Sequence, residues 1–401
     1  MERGHLRSFL VLLIVSGVAA GGATPDPPPP REFALVFSVG YGTKDHMPKD
    51  PAGFEKLLAN LEDAGYNAIH CVYKDWRLPL CRKHGVRMMI DVLAHGDDAR
   101  TDIRRDDQRE NVKAICLKVR GDDGVWGYNL WNERLDYFGK PVAQRLNRFL
   151  AMLREWDPTH PVWVGTYRNY FPDRVQPNPG VHGYYDYHWA RGMGYHFANL
   201  HWYFSFLQKR NAYLGRWILV HDYNRNMYTL NTSIAFGLKV AIWFIGGPWD
   251  ARTGKWNPNH HFIRIGRRMR KLFPELGKIG KPLAVYSTPT SRTPDNRDKP
   301  PGVPRPLQPF PEDHWLAVKQ GEAVAGFFEH PDGSDAVYFA NHNAFAWQGM
   351  VVELREPKPE KIKAWQFDKE AGEWVEFRPA RLISFPLAPG DGELFKFKRP
   401  R

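Results

Sequence analysis

Val125-Trp126-Gly127-Tyr128-Asn129-Leu130-Trp131-Asn132-Glu133 (VWGYNLWNE) is an apolar run that breaks into polar residues at its C-terminal end. A short apolar run of this kind reads as a buried strand. Working outward, the same texture recurs at Phe33–Tyr41, Asn67–Tyr73, Arg87–Leu93, Val162–Arg168, Val181–Trp189, Trp217–Tyr223 and Ala241–Gly247. Segments of helical period lie between these runs, near Ala52–Ala64, Arg77–His84, Arg105–Arg120, Lys140–Trp156, Phe197–Leu214 and Asn231–Lys239. A last helix is expected over Phe262–Leu276. Eight strands alternating with helices over about 250 residues match a (β/α)₈ TIM barrel, an α/β fold, here spanning residues 32–281. A doubly wound open sheet is the rival. It rarely takes eight strands in strict alternation, and no glycine-rich phosphate loop follows the first run.

The texture changes after Lys281. Ser287–Pro311 is rich in Pro, Asp, Arg and Thr and reads as a loop. Beyond Trp315 come short β-rich runs at Ala323–Glu329, Ala336–Asn341, Gly349–Leu354, Ile362–Phe367, Trp374–Pro379 and Glu393–Lys398. Turn pairs such as Asp332-Gly333 and Asp391-Gly392 punctuate them. Residues 282–401 are therefore expected to form a small antiparallel β-sandwich.

At the other end, Met1–Arg7 is basic, Phe9–Val18 is apolar and Ala19-Ala20-Gly21-Gly22-Ala23 is small, the pattern of a cleaved export signal. Residues 24–31, with Asp26–Arg31 (DPPPPR), form a stiff spacer. The expected location is periplasmic or extracellular, with no membrane attachment after cleavage. Three cysteines give no disulfide framework, and each lies in an apolar run, so buried thiols are expected.

The chain has 401 residues and a net charge of +12, which suits anionic partners such as sulfated or uronate-bearing polysaccharides. No nucleic-acid motif accompanies that charge. Aromatic residues make up 14%, including 15 Trp. Flat indole and phenol rings can pack a core, and they can also stack on the C–H faces of sugars.

In a barrel of this type the chemistry projects from the C-terminal ends of the strands. Those ends carry Tyr41, Tyr73, Asp91, Trp131, Asn132, Glu133, Asp186, His188, Trp189, His221, Asp222, Tyr223, Trp249 and Asp250. The mixture contains aromatics and carboxylates and neither a Ser-His-Asp order nor a Cys nucleophile. Glycosidic cleavage needs such a set: one carboxylic acid protonates the leaving oxygen while a second carboxylate attacks the anomeric carbon or activates water. Trp126, Trp163 and Trp202 are expected to pack, and Trp243 can point into the helix layer. Trp131, Trp189 and Trp249 are the candidate sugar platforms.

The segment Gly127–Glu133 resembles the fourth strand of the clan GH-A glycoside hydrolases, in which an Asn-Glu pair ends that strand. The resemblance covers Phe33 to about Gly280 and implies that Glu133 is the general acid/base and Asn132 the ligand of a sugar hydroxyl. Tyr185-Asp186-Tyr187-His188-Trp189 resembles the clan's aromatic sixth strand. The seventh strand departs from it: Trp217-Ile218-Leu219-Val220-His221-Asp222-Tyr223 contains no Glu. Asp222 is the nearest carboxylate and can act as nucleophile or base. A one-residue register shift would instead turn His221 inward. Asp186, Asp91 or Asp250 can also take that task.

The expected function is thus that of a secreted glycosidase acting on a poly- or oligosaccharide. Tyr41, Tyr73, Asp186, His188, Trp189, His221, Tyr223 and Trp249 join Trp131 and Asn132 around the substrate, with no cofactor or metal. A non-catalytic carbohydrate-binding barrel is the main alternative. The other is a metal-dependent barrel hydrolase using His70, His95, His182, His188 and His221 with Asp91 and Asp222. Sugar, linkage and oligomeric state are not legible in the sequence.

Overall fold

The computed structural model describes residues 32–38, 47–94, 101–130, 140–166, 181–187, 193–208, 212–219, 221–244, 247–250, 253–291, 302–303 and 306–400. The expected export signal and spacer lie outside them. Eight strands run parallel: β1 (Ala34–Ser38), β2 (Ala68–Cys71), β3 (Arg87–Asp91), β4 (Val125–Leu130), β5 (Val162–Thr166), β6 (Val181–Tyr187), β7 (Tyr213–Leu219) and β8 (Leu238–Phe244). Each pairs with its sequence neighbours, and β8 pairs with β1 from Ala34 opposite Val240, which closes the barrel.

Helices α1 (Pro51–Asp63), α2 (Arg77–Lys83), α3 (Asp106–Val119) and α4 (Lys140–Trp156) precede β2 to β5 in turn. Helices α5 (Met193–Gln208) and α6 (Tyr223–Ala235) precede β7 and β8, and α7 (His261–Met269) and α8 (Phe273–Lys278) follow.

The seventh unit starts earlier than its apolar pattern suggests. That pattern assigns Tyr213-Leu214 to the preceding helix and carries the strand to Tyr223. The strand instead stops at Leu219, because Asp222 takes an extended backbone and its carboxylate accepts from the Arg225 N–H at 2.9 Å. An aspartate N-cap satisfies an otherwise orphaned helical donor and starts α6 there. Gly237, with φ at 85°, ends the same helical segment and lets β8 begin at Leu238.

The lumen is filled by complementary volumes. Ala34, Val36, Ala68, Val240 and Ile242 on β8, β1 and β2 face Trp126, Trp163, Tyr213 and Trp217 on β4, β5 and β7. Small residues opposite large ones keep the interior close-packed. Trp126 and Trp163 are thus packing residues, and Trp243 stacks on Phe262 of α7 at 4.1 Å.

A bulge in β4 decides which of its side chains reach the lumen. Trp126 faces the lumen and Tyr128 the helix layer, where its hydroxyl donates to Asp157 at 2.6 Å. Two residues apart on a regular strand would share a face. The register with β3 slips here, Met88 opposing Val125 and Met89 opposing Gly127. The slip reverses the alternation and turns Asn129 inward. Gly127 permits it, because a Cβ there would lie 2.4 Å from the Pro161 carbonyl oxygen.

The second body is an antiparallel sandwich. Its strands are β9 (Ala284–Ser287), β10 (Leu316–Gln320), β11 (Ala323–Glu329), β12 (Asp335–Asn341), β13 (Gln348–Leu354), β14 (Lys363–Asp368), β15 (Glu373–Phe377), β16 (Leu382–Leu387) and β17 (Gly392–Lys398). One sheet has the order β9-β11-β12-β17-β14-β15 and the other β10-β13-β16. The larger sheet packs on α6: a Cβ at Gly326 would lie 2.0 Å from the Ala235 carbonyl oxygen. Tyr338 donates its hydroxyl to Asn231, whose amide donates to the Gly390 carbonyl at 2.9 Å. Arg268 pairs with buried Asp391, and Trp374 donates to Glu275 at 3.0 Å. These bonds satisfy several of the polar groups that the contact buries.

Cys71, Cys81 and Cys116 are buried thiols outside any disulfide. Burial pushes the Cys116 thiol up to about 12 and Cys81 up as well, so both are unreactive thiols at neutral pH. Among the described residues no helix is long and apolar enough to cross a membrane.

Candidate active site

The C-terminal ends of β1 to β4 bring four polar side chains together in the lumen. Ser38, His70, Asp91 and Asn129 each occupy a lumen-facing strand position, above the layer of Val36, Ala68 and Met89. His70 is the hub. Its Nδ1 lies 3.1 Å from the Ser38 hydroxyl, and its Nε2 lies 3.0 Å from the Asn129 amide nitrogen and 3.5 Å from an Asp91 carboxylate oxygen. The ring meets Trp217 edge to face at 6.0 Å. Asp91 is fixed from its other oxygen, which accepts from the Leu93 N–H at 2.9 Å.

The ring and amide roles are linked: an Asn129 N–H donating to Nε2 leaves Nδ1–H to donate to Ser38, whereas the other tautomer turns Nε2–H toward Asp91. Asn129 is 1% exposed, and its amide oxygen has no hydrogen-bond partner among the described residues. A buried acceptor left open is costly and invites a donor from a ligand hydroxyl. Asp91 offers the matching negative charge. The cluster can hold a proton, orient a hydroxyl, or present a carboxylate to a bound substrate.

Arg77 stiffens the same end of the barrel. It is fully buried, donates to the carbonyls of Val72 and Pro48 at 3.0 Å each, and packs over Phe54 and Trp76. It therefore ties the start of the loop after β2 to the segment entering α1.

The strand-end candidates distribute differently. Tyr41, Trp131, Asn132, Glu133, His188 and Trp189 lie outside the described residues. Asp186 occupies the β6 position opposite Arg216 in register. Tyr73 hydrogen-bonds Asp75, which pairs with Lys118 of α3 at 2.8 Å; burial and then Asp75 push its phenol up to about 12. Asp222 caps α6, pairs with Arg225 at 3.3 Å and leaves its side chain 54% exposed. His221 donates its backbone N–H to Asn226, which also bonds His261. Tyr223 lies under the Arg264 guanidinium at 4.1 Å, and burial raises its pKa. Trp249 is half-buried, on a short ladder with Trp256 after β8.

In the sequence His70 reads only as a possible metal ligand, and Ser38 does not stand out. Strand parity is the signal that could have found them: Ser38 and His70 follow Val36 and Ala68 at a spacing of two. Among the described residues no group of three His, Cys, Asp or Glu side chains is arranged to hold a metal ion.

No protein-family model and no curated protein matches the chain. Solved structures of similar shape include an α-amylase from Geobacillus thermoleovorans, 10% identical, with 92% of this chain and 99% of that one covered at a TM-score of 0.47. A β-L-arabinopyranosidase from Geobacillus stearothermophilus is 8% identical, with 92% and 98% covered at a TM-score of 0.49. An arabinofuranosidase from Xanthomonas axonopodis pv. citri is 10% identical, with 92% and 98% covered at a TM-score of 0.44.

Proposed function

We propose that the chain is an exported glycoside hydrolase that cleaves O-glycosidic bonds of a poly- or oligosaccharide, with Glu133 as general acid/base. One observation carries this reading: β4, the fourth strand of a closed parallel barrel, ends at Leu130, and Trp131-Asn132-Glu133 follow directly in the chain. Catalytic side chains of such barrels come from these strand ends. In this reading Glu133 protonates the leaving oxygen, and a second carboxylate attacks the anomeric carbon or draws a proton from water. The open amide oxygen of Asn129 accepts a sugar hydroxyl.

Asp222 and Asp91 are the two candidates for the second role whose surroundings differ most. Asp222 follows β7, where the clan resemblance calls for it, but its oxygens serve the cap of α6 and Arg225. Asp91 lies on a lumen-facing position beside His70. That difference favours Asp91.

The test is Glu133→Gln, which removes a proton and little volume. Turnover is expected to fall by about 10²–10⁴-fold, the size of a general acid's contribution, while substrate binding persists. Equal turnover in the variant and the native chain, on any glycan that the protein cleaves, would sink the assignment. Binding without turnover in the native chain would favour a carbohydrate-binding barrel.

A further inference from the structure

We infer that the sandwich loop 342–347 carries an aromatic platform, Phe345 with Trp347, that prolongs the barrel's sugar cleft and grips a second stretch of a polymeric glycan. What the barrel mouth itself binds is taken from the hydrolase reading above.

Among the described residues the large exposed apolar side chains are Leu117, Leu283, Val375, Leu382, Phe345 and Trp347. The first four are aliphatics at separate places in the chain, which a protein surface tolerates. The two aromatics fall on one loop, with Trp347 68% and Phe345 39% exposed.

That loop is built to hold its shape. The buried Asn341 amide donates to the Ala346 carbonyl at 3.0 Å. Buried Asn343 accepts at its side-chain oxygen from the backbone N–H groups of Phe345 and Ala346, at 2.9 and 3.1 Å. Its amide nitrogen donates to Glu322 at 3.2 Å, and its carbonyl accepts from the Gly390 N–H at 3.0 Å. A loop fixed this way presents its side chains with little ordering left to do on binding.

The loop also lies beside the barrel mouth. β12 runs past α6 with Tyr338 on Asn231, and the chain beyond it reaches the helix's first turn. There the Arg225 guanidinium lies 5.8 Å from the Phe345 ring centroid. Arg225 is three residues beyond Asp222, the cap that follows β7 at the barrel's C-terminal face. Phe345 therefore adjoins the first turn of the helix that follows β7, at the C-terminal face of the barrel. Aromatic faces accept the C–H faces of pyranose rings, and the neighbouring guanidinium can donate to sugar oxygens. A monosaccharide or disaccharide seated in the lumen would gain nothing from rings on the sandwich. The fitting ligand is a glycan chain several units long.

The test is affinity electrophoresis of the full chain through gels containing birch xylan, mixed-linkage β-glucan or polygalacturonate. Retardation is expected in at least one polymer, weakened roughly tenfold by Trp347→Ala, a loss consistent with removing one aromatic contact. Trp347→Phe, which keeps a ring, is expected to regain part of it. Val375→Ala, at an exposed apolar position on β15, is expected to leave retardation as in the native chain. Trp347→Ala retarded as strongly as the native chain overturns the platform, and so does a native chain retarded by none of the three. Trp347-dependent retardation without release of reducing ends supports the platform and overturns only the hydrolase reading.

Discussion

Around β1 to β4 the polar residues at the barrel mouth lie on the strands and turn into the lumen, where Ser38, His70, Asp91 and Asn129 bond one another. Around β7 the polar residues lie beyond the strand and serve the helix that comes next. Asp222 caps α6, His221 is tied to Asn226, and Tyr223 lies under Arg264. The difference has a simple origin. A side chain within a strand has its direction fixed by alternation, whereas a residue after the strand is free to satisfy the orphan N–H groups of the next helix. Both sets look alike as sequence. Only the first remains directed into the lumen.

The largest expected effect is on turnover. Asp91→Asn is expected to lower kcat on the order of 10³-fold if the lumen set carries the second carboxylate. Asp222→Asn, which preserves a capping oxygen, is expected to leave kcat near that of the native chain. Steady-state kinetics on one substrate decide between them, and the reverse ranking would return the role to Asp222.

A smaller effect is expected where α5 and α6 meet the sandwich. Tyr228 on α6 and Phe197 on α5 pack against His342 of the sandwich, and burial lowers the pKa of that histidine to about 4 from its ordinary 6.5. The folded state therefore keeps His342 neutral while the unfolded chain takes up a proton. Stability is full above about pH 6.5 and is lost as pH falls toward 4. Between pH 7 and 4.5 the loss from this one group is expected to be about 2–3 kcal/mol, read as a falling urea midpoint. His342→Gln should flatten that slope. An unchanged slope would show that the interface does not keep the ring neutral.

The smallest effect concerns the cap itself. Asp222→Ala is expected to cost about 1 kcal/mol in urea unfolding, and Asp222→Asn much less, because asparagine caps nearly as well. Equal costs for the two would deny the capping role and blur the contrast with Asp91.

The barrel is legible in the sequence because eight apolar runs alternate with helical ones, and that signal survives errors of a few residues at each end. The sandwich is legible as a class, yet β9, β10 and β16 merge into their surroundings. Ala284–Ser287 is short, and Leu382–Leu387 includes Pro386. The mouth is harder to read. The bulge at Gly127 reverses which residues of β4 face inward, and its cause is the approach of Pro161, far along the chain beyond α4. Nothing local to Asp222 distinguishes a strand-end carboxylate from an N-cap. The pairing of Asn231 with Tyr338 depends on docking between distant segments and leaves no local pattern.

The most direct measurement of the central claim compares Glu133→Gln with the native chain on two aryl glycosides of one sugar, a dinitrophenyl glycoside and a phenyl glycoside. Dinitrophenolate leaves without protonation, while phenolate needs the acid. If Glu133 is the general acid, the variant should slow severely on the phenyl glycoside and far less on the dinitrophenyl one. An equal loss on both would contradict that role.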